Sequence, residues 1–500
     1  MGKSKRLYII GAGFAGRALS TEITSKAIFG KVVAFLDDDP EKIGKKIDNI
    51  PVLGPIGDVA LLLRTNPADE AIIAIPSASR EYLKELFTIL KTANFQKIRI
   101  LPGISQIVDG EAHMIQTRSI DLQDLLGRNP VTIKLKQSLT YVRGKRVLVT
   151  GAGGSIGSEL CRQLLSGGVS RLYLLGHGEN SIYQIDKELR ILQDEGVGEK
   201  AAIVPVIGDL KDASYVDYIL ANLKADAIFH TAAYKHVPMM EENPVAAIEN
   251  NVFGTENLVR SAIKYGIKRF VHISTDKAVC PISVYGASKF ICEQMILCAS
   301  QDPSFFCGEK ANPASDPHFV IVRFGNVLGS RGSIVPLFQK QIEKGGPVTV
   351  THPEARRFFM TISEACSLVL KTGGVGENGK LYLLDMGEPV RIRDLAEQLI
   401  RFHGYEPETE IKIDYIGMRP GERLDESLLS EEEIPAFTDY SRILQINRKV
   451  PSTLNVKKLL EELRPVCLFN SAWQKQYRNP DLLREILNKH NILSKDFFKE

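Results

Sequence analysis

The chain has 500 residues and a mass of 55.5 kDa, which at about 150 residues per domain predicts two or three domains. Hydrophobic residues make up 44% and charged residues 25%, so a disordered or fibrous chain is excluded. The net charge of +3 lacks the basic excess of nucleic-acid-binding proteins, and no nucleic-acid partner is expected. Mean hydropathy is −0.06 and no run of about 18 apolar residues occurs, so no membrane span is predicted.

The first residues and the cysteines both favour a cytoplasmic protein. The opening Met-Gly-Lys-Ser-Lys-Arg leads directly into a predicted strand, without the long apolar core and cleavage site of a signal peptide. The seven cysteines are an odd number without a CxxC pair, and they are expected to be free thiols in a reducing compartment. We therefore expect a cytoplasmic localisation and no metal site.

The first 120 residues have the pattern of a nucleotide-binding domain. A predicted strand at 7–10 runs into Gly11-Ala-Gly-Phe-Ala-Gly16, and after a helical pattern a second strand, 32–36, ends at Asp37. Strand, GxGxxG, helix, strand and acid in this order are typical of dinucleotide-binding folds. Further strands at 71–75 and 97–101 predict a parallel sheet. The alternative is a Rossmann-like domain that binds nothing tightly and serves regulation or assembly.

After a connector predicted at 121–143, the same pattern begins again, which predicts a second domain over 144–450. The strand 145–150 runs into a TGxxGxxG loop and a helix, an arrangement in which glycines let the backbone approach a pyrophosphate at the helix N-terminus. The fold class is therefore α/β, with two doubly wound domains in tandem. From this loop the predicted cofactor-binding residues are Gly151, Gly154, Ser155, Ile156 and Gly157.

The following strand ends supply the other predicted cofactor contacts. The second strand, 171–175, ends at Gly176, which offers no carboxylate for a ribose hydroxyl and leaves the choice between NAD and NADP open. The ends of parallel strands converge on one edge of the sheet, where such folds bind their ligands. The additional predicted cofactor-binding residues are His177, Asp209, Leu210, Ala232, Ala233 and Asn251.

The side chains suited to acid–base catalysis are concentrated after the fifth strand, 269–273. This strand leads into Ser274-Thr-Asp-Lys277, and Tyr285 and Lys289 follow at helical i, i+4 spacing. Lys289, with a cationic nicotinamide, is expected to lower the pKa of Tyr285 so that its phenolate accepts a proton from a hydroxyl. Thr275 is placed to bond the same oxygen. The alternative is a tyrosine and a lysine that share a helix surface without a function.

Seven motifs together resemble the UDP-N-acetylglucosamine 4,6-dehydratases of polysaccharide biosynthesis, a branch of the extended short-chain dehydrogenases/reductases. These motifs are Thr150–Gly157, Ala232–Pro238, Ser274–Ala278, Tyr285–Lys289, Val322–Gly329, Arg357–Met360 and Arg419–Glu422. The resemblance covers residues from about 145 to 430, and it implies NAD or NADP as cofactor, a UDP-sugar substrate and a homo-oligomer. Residues 1–120 resemble the nucleotide-fold extension of the longer members.

Two features differ from those longer members. They usually begin with membrane helices, which this sequence does not show, and many carry Met at the position of Tyr285. The chain is therefore expected to be either a naturally soluble form or one that starts after the membrane helices, and the tyrosine leaves retention or inversion at carbon 5 of the sugar open.

The resemblance also implies roles for the catalytic residues. Tyr285 serves the oxidation of carbon 4, with Thr275 and Lys289 beside it. Lys277, as a neutral amine whose pKa is lowered by nearby positive charge, removes the carbon 5 proton, and Asp276 protonates the departing carbon 6 hydroxyl. The alternative for Asp276 and Lys277 is a surface ion pair.

Polar side chains that follow the fourth strand, 227–230, and the sixth strand, 319–322, are predicted to bind the substrate, with arginines on its diphosphate because guanidinium groups match diphosphate oxygens. For each arginine, and for His236, a structural role is the alternative. The predicted substrate-binding residues are Lys235, His236, Arg323, Asn326, Ser333, Arg357, Arg419 and Glu422.

Leucines at helical spacing predict a helical tail over 451–500 that packs on a neighbouring domain or subunit. Two other functions remain open. A nucleotide-sugar 4-epimerase would share Tyr285, Lys289 and the glycines but has no need of Asp276 and Lys277. A non-catalytic nucleotide-sensing protein would not need this complete set of side chains.

Overall fold

The computed structural model describes residues 5–26, 30–75, 78, 80–93, 95, 97–100, 118–119, 138–198, 200–307, 317–403, 405–449 and 454–494. Most of the predicted connector, residues 121–137, lies outside this part of the chain. The chain forms two compact units, residues 1–132 with 341–348 and 395–413, and residues 133–340 with 349–394 and 414–500.

Alternating strands and helices make up the described part of residues 1–132. They are β1 (Arg6–Ile10), α1 (Phe14–Lys26), β2 (Lys31–Leu36), β3 (Lys46–Ile47), β4 (Ile50–Leu53), α2 (Val59–Thr65), β5 (Glu70–Ile73), α3 (Arg80–Thr92), β6 (Lys97–Ile100) and β7 (Arg118–Ser119). The sheet has the order β3-β4-β2-β1-β5-β6-β7, and its five central strands are parallel. Buried aliphatic side chains of β1 and β5 form the centre of the core.

The second unit begins with the elements that carry the glycine loop and the catalytic motifs. They are β8 (Arg146–Thr150), α4 (Ser155–Ser166), β9 (Arg171–Gly176), α5 (Glu179–Asp194), β10 (Ala202–Ile207), α6 (Ala213–Leu223), β11 (Ala227–His230), α7 (Val237–Glu242), α8 (Pro244–Ile248), α9 (Gly254–Lys264), β12 (Arg269–Thr275), α10 (Val284–Gln301) and α11 (Ser304–Cys307).

The later elements complete the sheet, add small two-stranded sheets, here called the lobe, and end in a helical tail; among them, residues 341–348 and 395–413 belong to the first unit. They are β13 (His318–Phe324), β14 (Asn326–Val327), α12 (Ile334–Glu343), β15 (Val348–Val350), β16 (Arg356–Arg357), β17 (Phe359–Met360), α13 (Ile362–Val375), β18 (Lys380–Leu384), β19 (Val390–Arg391), α14 (Ile392–Phe402), β20 (Ile413–Tyr415), β21 (Glu433–Phe437), β22 (Ile443–Arg448), α15 (Val456–Cys467) and α16 (Pro480–Lys489).

The nine-stranded sheet of this unit has the order β10-β9-β8-β11-β12-β13-β18-β22-β21. Its first seven strands are parallel, and β22 and β21 add an antiparallel edge. The strand order reverses between β8 and β11, which is where doubly wound sheets leave a crevice at the carboxyl ends of their strands. The predicted α/β class with tandem doubly wound folds is confirmed.

Helices cover both faces of this sheet and bury two apolar layers. One layer joins α6 to α10 with α15 and α16, and the other joins α4, α5 and α13. The helical tail therefore packs within its own unit: Leu459, Leu463 and Leu487 are buried in the first layer. Among the described residues, no helix combines the length and apolar character needed to cross a bilayer.

Candidate active site

A cleft of about 860 Å³ opens at the carboxyl ends of the parallel strands of the second unit. Its walls come from the glycine loop after β8, the segment after β11, the start of α10 and the lobe that follows β13. Most of the predicted site residues line it, namely Gly151, Gly154, Ser155, Ile156, Gly157, Ala233, Lys235, His236, Thr275, Lys277, Tyr285, Lys289, Asn326, Ser333, Arg357, Arg419 and Glu422.

The glycine loop presents backbone and an open helix end to the cleft. Gly151 has φ of +66°, and a Cβ on Gly157 would lie 2.2 Å from the Gly151 carbonyl oxygen, so both positions require glycine. Helix α4 begins with Gly154 as its N-cap, and no side chain in the described part of the protein caps it. The first amides of α4 therefore remain available, and the helix dipole favours an anion there. This arrangement fits the pyrophosphate of a dinucleotide.

Lys289 is held from the interior of the protein. Its Nζ donates to the Ile273 carbonyl oxygen at 2.7 Å and lies 3.1 Å from Nε2 of His272, which is itself buried. Burial lowers the pKa of Lys289. The helix thus presents Tyr285 and Lys289 on one face, as the spacing predicts, and both line the cleft.

The environment of Tyr285 corrects the expectation of a lowered pKa. Burial raises the pKa of Tyr285 to about 12, although the charge of Lys277 and the Thr275 hydroxyl act in the opposite direction. The cost of desolvating the phenolate is therefore larger than the stabilisation that the protein's own cations provide. A cationic group bound in the cleft would have to supply the missing stabilisation of the phenolate.

Lys277 lies between two carboxylates. Its Nζ is 3.0 Å from Asp276 Oδ1 and 3.4 Å from Glu426 Oε1, and it also donates to Asn326 Oδ1 at 3.3 Å. Burial works to lower the pKa of Lys277, but the charges of Asp276 and Glu426 outweigh burial and raise the pKa above its usual value. The protein's own groups therefore favour the ammonium form of Lys277, opposite to the lowered pKa that the resemblance implies.

Asp276 lies behind Lys277 and away from the cleft. Its side chain is 0% exposed, Oδ1 accepts a hydrogen bond from Thr275 Oγ1 at 2.8 Å, and Oδ2 is buried with no hydrogen-bond partner among the described residues. The residues of this cluster that line the cleft are Lys277 and Glu426. Glu426 escaped the sequence analysis, and the only signal that could have found it is its position four residues after Glu422.

Arg357 lines the cleft, but its guanidinium is largely committed to the protein. It donates to the backbone oxygens of Arg356, Leu424 and Arg423 at 2.6, 2.9 and 2.7 Å, and its Nε lies 3.7 Å from Glu426 Oε1. Arg357 thus fixes the loop that carries Glu426. Of the predicted arginines, Arg419 is the more exposed, with Glu422 as its partner at 2.5 Å.

Arg323 does not reach the cleft, which corrects its prediction as a substrate-binding residue. Its side chain is 1% exposed and pairs with Glu293 and Glu433, each at 2.8 Å. The predicted strand ended at Val322, whereas β13 continues to Phe324, so Arg323 is an interior strand position whose side chain points into the core. Glu293 also accepts from Ser274 Oγ at 2.6 Å, so the pair links β12, β13 and α10.

Several predicted cofactor residues are placed outside the cleft lining. Asn251 is buried and forms hydrogen bonds with Tyr234 and Ser288; its Oδ1 accepts from the Tyr234 amide at 2.8 Å. Asp209 accepts from the Lys211 amide in its own turn, and Leu210 packs in the core. The others placed outside the lining are His177, whose ring packs against Tyr234, and Ala232, which lies against Gly151.

The glycine-rich loop after β14 forms the wall opposite the helix α4. Its Arg331 amide donates to Ser155 Oγ at 3.0 Å, and both residues line the cleft. Ser333 Oγ is buried and has no hydrogen-bond partner among the described residues. Gly332 has φ of +69°, and a Cβ there would lie 2.5 Å from the ring of His236. His236 is thus packed on this loop at the cleft wall.

In the first unit, the carboxylate after β2 accepts hydrogen bonds from backbone amides of the protein. Asp37 Oδ2 accepts from the Ala12 amide of the glycine loop at 2.7 Å, and Oδ1 accepts from the Asp39 amide at 3.0 Å. The fingerprint loop and its acid are therefore joined by a hydrogen bond through the Ala12 amide.

Two family descriptions match separate parts of the chain. Residues 2–102 match the family described as "CoA-binding domain", and residues 147–448 match the family described as "Polysaccharide biosynthesis protein". Among solved structures, Pen from Bacillus thuringiensis is 30% identical with a TM-score of 0.54, over 63% of this chain and 92% of that one.

Curated relatives cover most of the chain. The capsular polysaccharide biosynthesis protein CapD of Staphylococcus aureus is 42% identical over 445 residues, which are 88% of this chain and 71% of CapD. The probable polysaccharide biosynthesis protein EpsC of Bacillus subtilis is 41% identical over the same shares of each chain. A UDP-glucose 4-epimerase of Rickettsia canadensis is 30% identical over 70% of this chain and 98% of that protein. The chain belongs to the polysaccharide biosynthesis protein family.

Proposed function

We propose that the protein is an NAD(P)-dependent nucleoside-diphosphate-sugar 4,6-dehydratase that acts on UDP-N-acetylglucosamine or a close UDP-sugar. The product is the 4-keto-6-deoxy sugar, formed by loss of one water. The observation that carries the proposal is the ion cluster that Lys277 forms with Asp276 and Glu426, of which Lys277 and Glu426 line the same cleft as Tyr285. Oxidation and reduction at one carbon need Tyr285 alone, whereas elimination of water also needs groups that exchange protons at carbons 5 and 6.

The residues present fit a nicotinamide dinucleotide. The uncapped N-terminus of α4 and the glycines at 151, 154 and 157 supply the surface for its pyrophosphate. When bound, the nicotinamide supplies a reversible hydride acceptor and the positive charge that the pKa of Tyr285 requires.

In the oxidation, Tyr285 accepts the proton of the carbon 4 hydroxyl as the hydride leaves that carbon. The Thr275 hydroxyl holds the phenol oxygen, and Lys289 is fixed by Ile273 and His272 one helical turn away. The ketone at carbon 4 then acidifies the proton on carbon 5, which prepares the elimination.

In the elimination, the carbon 5 proton and the carbon 6 hydroxyl leave together as water. Lys277 and its carboxylate partners supply the proton acceptor and donor, and Lys277 is the member that faces the cleft from the strand end. The hydride returns to carbon 6 and a proton to carbon 5, so the substrate is neither oxidised nor reduced overall. Ser333, Arg331 and Arg419 are assigned to the nucleotide diphosphate, because each lines the cleft and Ser333 Oγ has no hydrogen-bond partner among the described residues.

A second candidate is a nucleotide-sugar 4-epimerase, which the similarity to the Rickettsia canadensis UDP-glucose 4-epimerase favours. An epimerase would return the hydride to carbon 4 from the other face and would have no use for a charged cluster beside Tyr285. We therefore place this function second.

Mass spectrometry of UDP-N-acetylglucosamine after incubation with the protein and NAD(P)+ separates the candidates. Loss of one water supports the dehydratase, whereas a product of unchanged mass but different retention supports the epimerase. The Tyr285→Phe variant should lose about 100- to 10,000-fold in turnover because only the phenol oxygen is removed. Unaltered substrate with the wild-type protein would contradict both enzymes and leave a nucleotide-sensing protein.

A further inference from the structure

Glu426 is a buried carboxylate that lines the cleft and has no role in the sequence motifs. Its side chain is 5% exposed, and its Oε1 lies 3.4 Å from Lys277 Nζ and 3.7 Å from Arg357 Nε. Glu426 comes from the loop after Arg419 and Glu422, whereas Lys277 comes from the end of β12. The contact therefore joins two segments that are far apart in the chain.

Four charged or titratable groups face the Lys277 ammonium. Asp276 and Glu426 are the two carboxylates, Arg357 is the nearby cation, and the Tyr285 phenol lies beside them. Asp276 is fully buried and is fixed by the hydrogen bond from Thr275. Glu426 differs from Asp276 because it lines the cleft and is held by the loop that Arg357 fixes.

We propose that Glu426 is a positioning residue of the reaction: its carboxylate holds the Lys277 ammonium against Asp276 and thereby controls when Lys277 can accept the carbon 5 proton. This inference rests on the proposed dehydratase function. In the step concerned, the carbon 5–hydrogen bond breaks, the proton passes to the neutral Lys277 amine, and the electron pair enters the enolate of the carbon 4 ketone. Lys277, whose side chain is 21% exposed at the cleft, must therefore first release its own proton to solvent.

The direction of the effect follows from charge alone. A carboxylate about 3.4 Å from an ammonium stabilises the charged form, so the negative charge of Glu426 raises the pKa of Lys277. Lys277 therefore becomes a neutral base only at a higher pH. Removing that charge should lower the midpoint of the rising limb of kcat against pH by at least about one unit, even with nearly water-like screening. A side chain that only packs the loop would leave the midpoint unchanged.

The test is the pH profile of kcat for dehydration of UDP-N-acetylglucosamine, which reports groups in the enzyme–substrate complex, between about pH 6 and 11. Where the midpoint lies above this range, the displacement of the rising limb along the pH axis gives its shift. Glu426→Gln keeps the shape and removes the charge. Glu422→Gln is the matched control, because it removes one negative charge from the same cleft but Glu422 pairs with Arg419. Thermal unfolding of each variant shows whether it is folded.

The Glu426→Gln substitution should move the midpoint to lower pH by about one unit or more, while Glu422→Gln changes the rate without moving it. Glu426→Asp keeps the charge but draws it back, so its midpoint should lie between those of the wild-type protein and Glu426→Gln. If Glu426→Gln fails to fold, a Glu426→Asp protein with the wild-type midpoint overturns the inference. If folded Glu426→Gln forms product and its midpoint is unmoved, the inference is wrong and the proposed function stands. If the wild-type protein forms no dehydrated product, both the proposed function and the inference are wrong.

Discussion

Arg323 shows how burial decides the role of a single side chain. An arginine after a strand is expected to reach the ligand, but here it lies inside β13 and pairs with Glu293 and Glu433. Glu293 lies two helical turns after Tyr285 on α10, and it also binds Ser274, which precedes Thr275. Arg323 therefore fixes the helix that carries Tyr285 and the end of β12 from behind, and it does not line the cleft.

The Arg323→Gln variant should lower the free energy of unfolding by about 3–5 kcal/mol, because both glutamates would remain buried without their cation. The measurement is urea unfolding followed by the fluorescence of Trp473, the only tryptophan of the chain. Arg190→Gln is the control, since Arg190 forms an exposed pair with Asp186 on α5 and should change stability by less than about 1 kcal/mol. A stable Arg323→Gln protein with a raised KM would show instead that Arg323 binds substrate.

The sequence predicts the residues whose signal is local. The glycine loop and the Tyr285–Lys289 pair are set by spacing within one strand, turn or helix, and the structure brings them to one cleft. The side chain of Glu426 could not be assigned in this way, because its partner Lys277 is far away in sequence. The raised pKa of Tyr285 was also hidden, since desolvation depends on packing that no spacing reveals.

At the level of elements, the order of strands and helices is predictable and their ends are less so. Alternating apolar runs and helical periodicity give the parallel sheets, because each strand must be followed by a crossover that covers a face. The antiparallel edge of β22 and β21 was not predicted. These strands alternate exposed and buried residues weakly, and only their pairing with β18 places them in the sheet.

The helical tail is the element whose packing site could not be read from the sequence. Its leucines predict two amphipathic helices, but the surface that receives them is formed by α8, α9 and α10. Ion pairs accompany the apolar contact, with Arg478 at 2.8 Å from Glu249 and Arg484 at 3.6 Å from Glu241. Glu241 also accepts from the Val284 amide at the start of α10, so the tail supports the helix that carries Tyr285.

The Leu463→Ala substitution in α15 should destabilise the second unit by about 2–5 kcal/mol, since Leu463 is fully buried between the tail and the core. Trp473 lies between α15 and α16, so its fluorescence reports the loss of the tail directly. Ile191→Ala on α5 is the control, because Ile191 is exposed and should cost less than about 1 kcal/mol. Equal stabilities of the two variants would mean that the tail is not part of the cooperative fold.

For the molecule as a whole, two histidines in the centre of the nine-stranded sheet link stability to pH. His230 bonds Thr150 at 2.7 Å and Thr255 at 2.8 Å, and His272 lies 5.2 Å from it beside Lys289. Burial and the Lys289 charge lower the pKa of His230 to about 3, and the same causes lower the pKa of His272. Both rings are therefore neutral in the folded protein, and Lys289 keeps its place against an uncharged neighbour.

The folded protein should accordingly lose stability in acid well before its carboxylates are protonated. Below about pH 6.5 the unfolded chain binds protons on both imidazoles, whereas folded His230 binds none until about pH 3. The stabilisation is complete above about pH 6.5 and falls by about 1.4 kcal/mol per pH unit for each histidine as the pH decreases. The His230→Gln variant should be less stable than the wild-type protein at neutral pH. In urea unfolding between about pH 6 and 4, its free energy of unfolding should change less steeply with pH, by the equivalent of one proton. His177→Gln, at an exposed position, should keep the wild-type slope. If the slope of His230→Gln equals that of the wild-type protein, the acid sensitivity comes from other groups and the buried pair does not couple stability to pH.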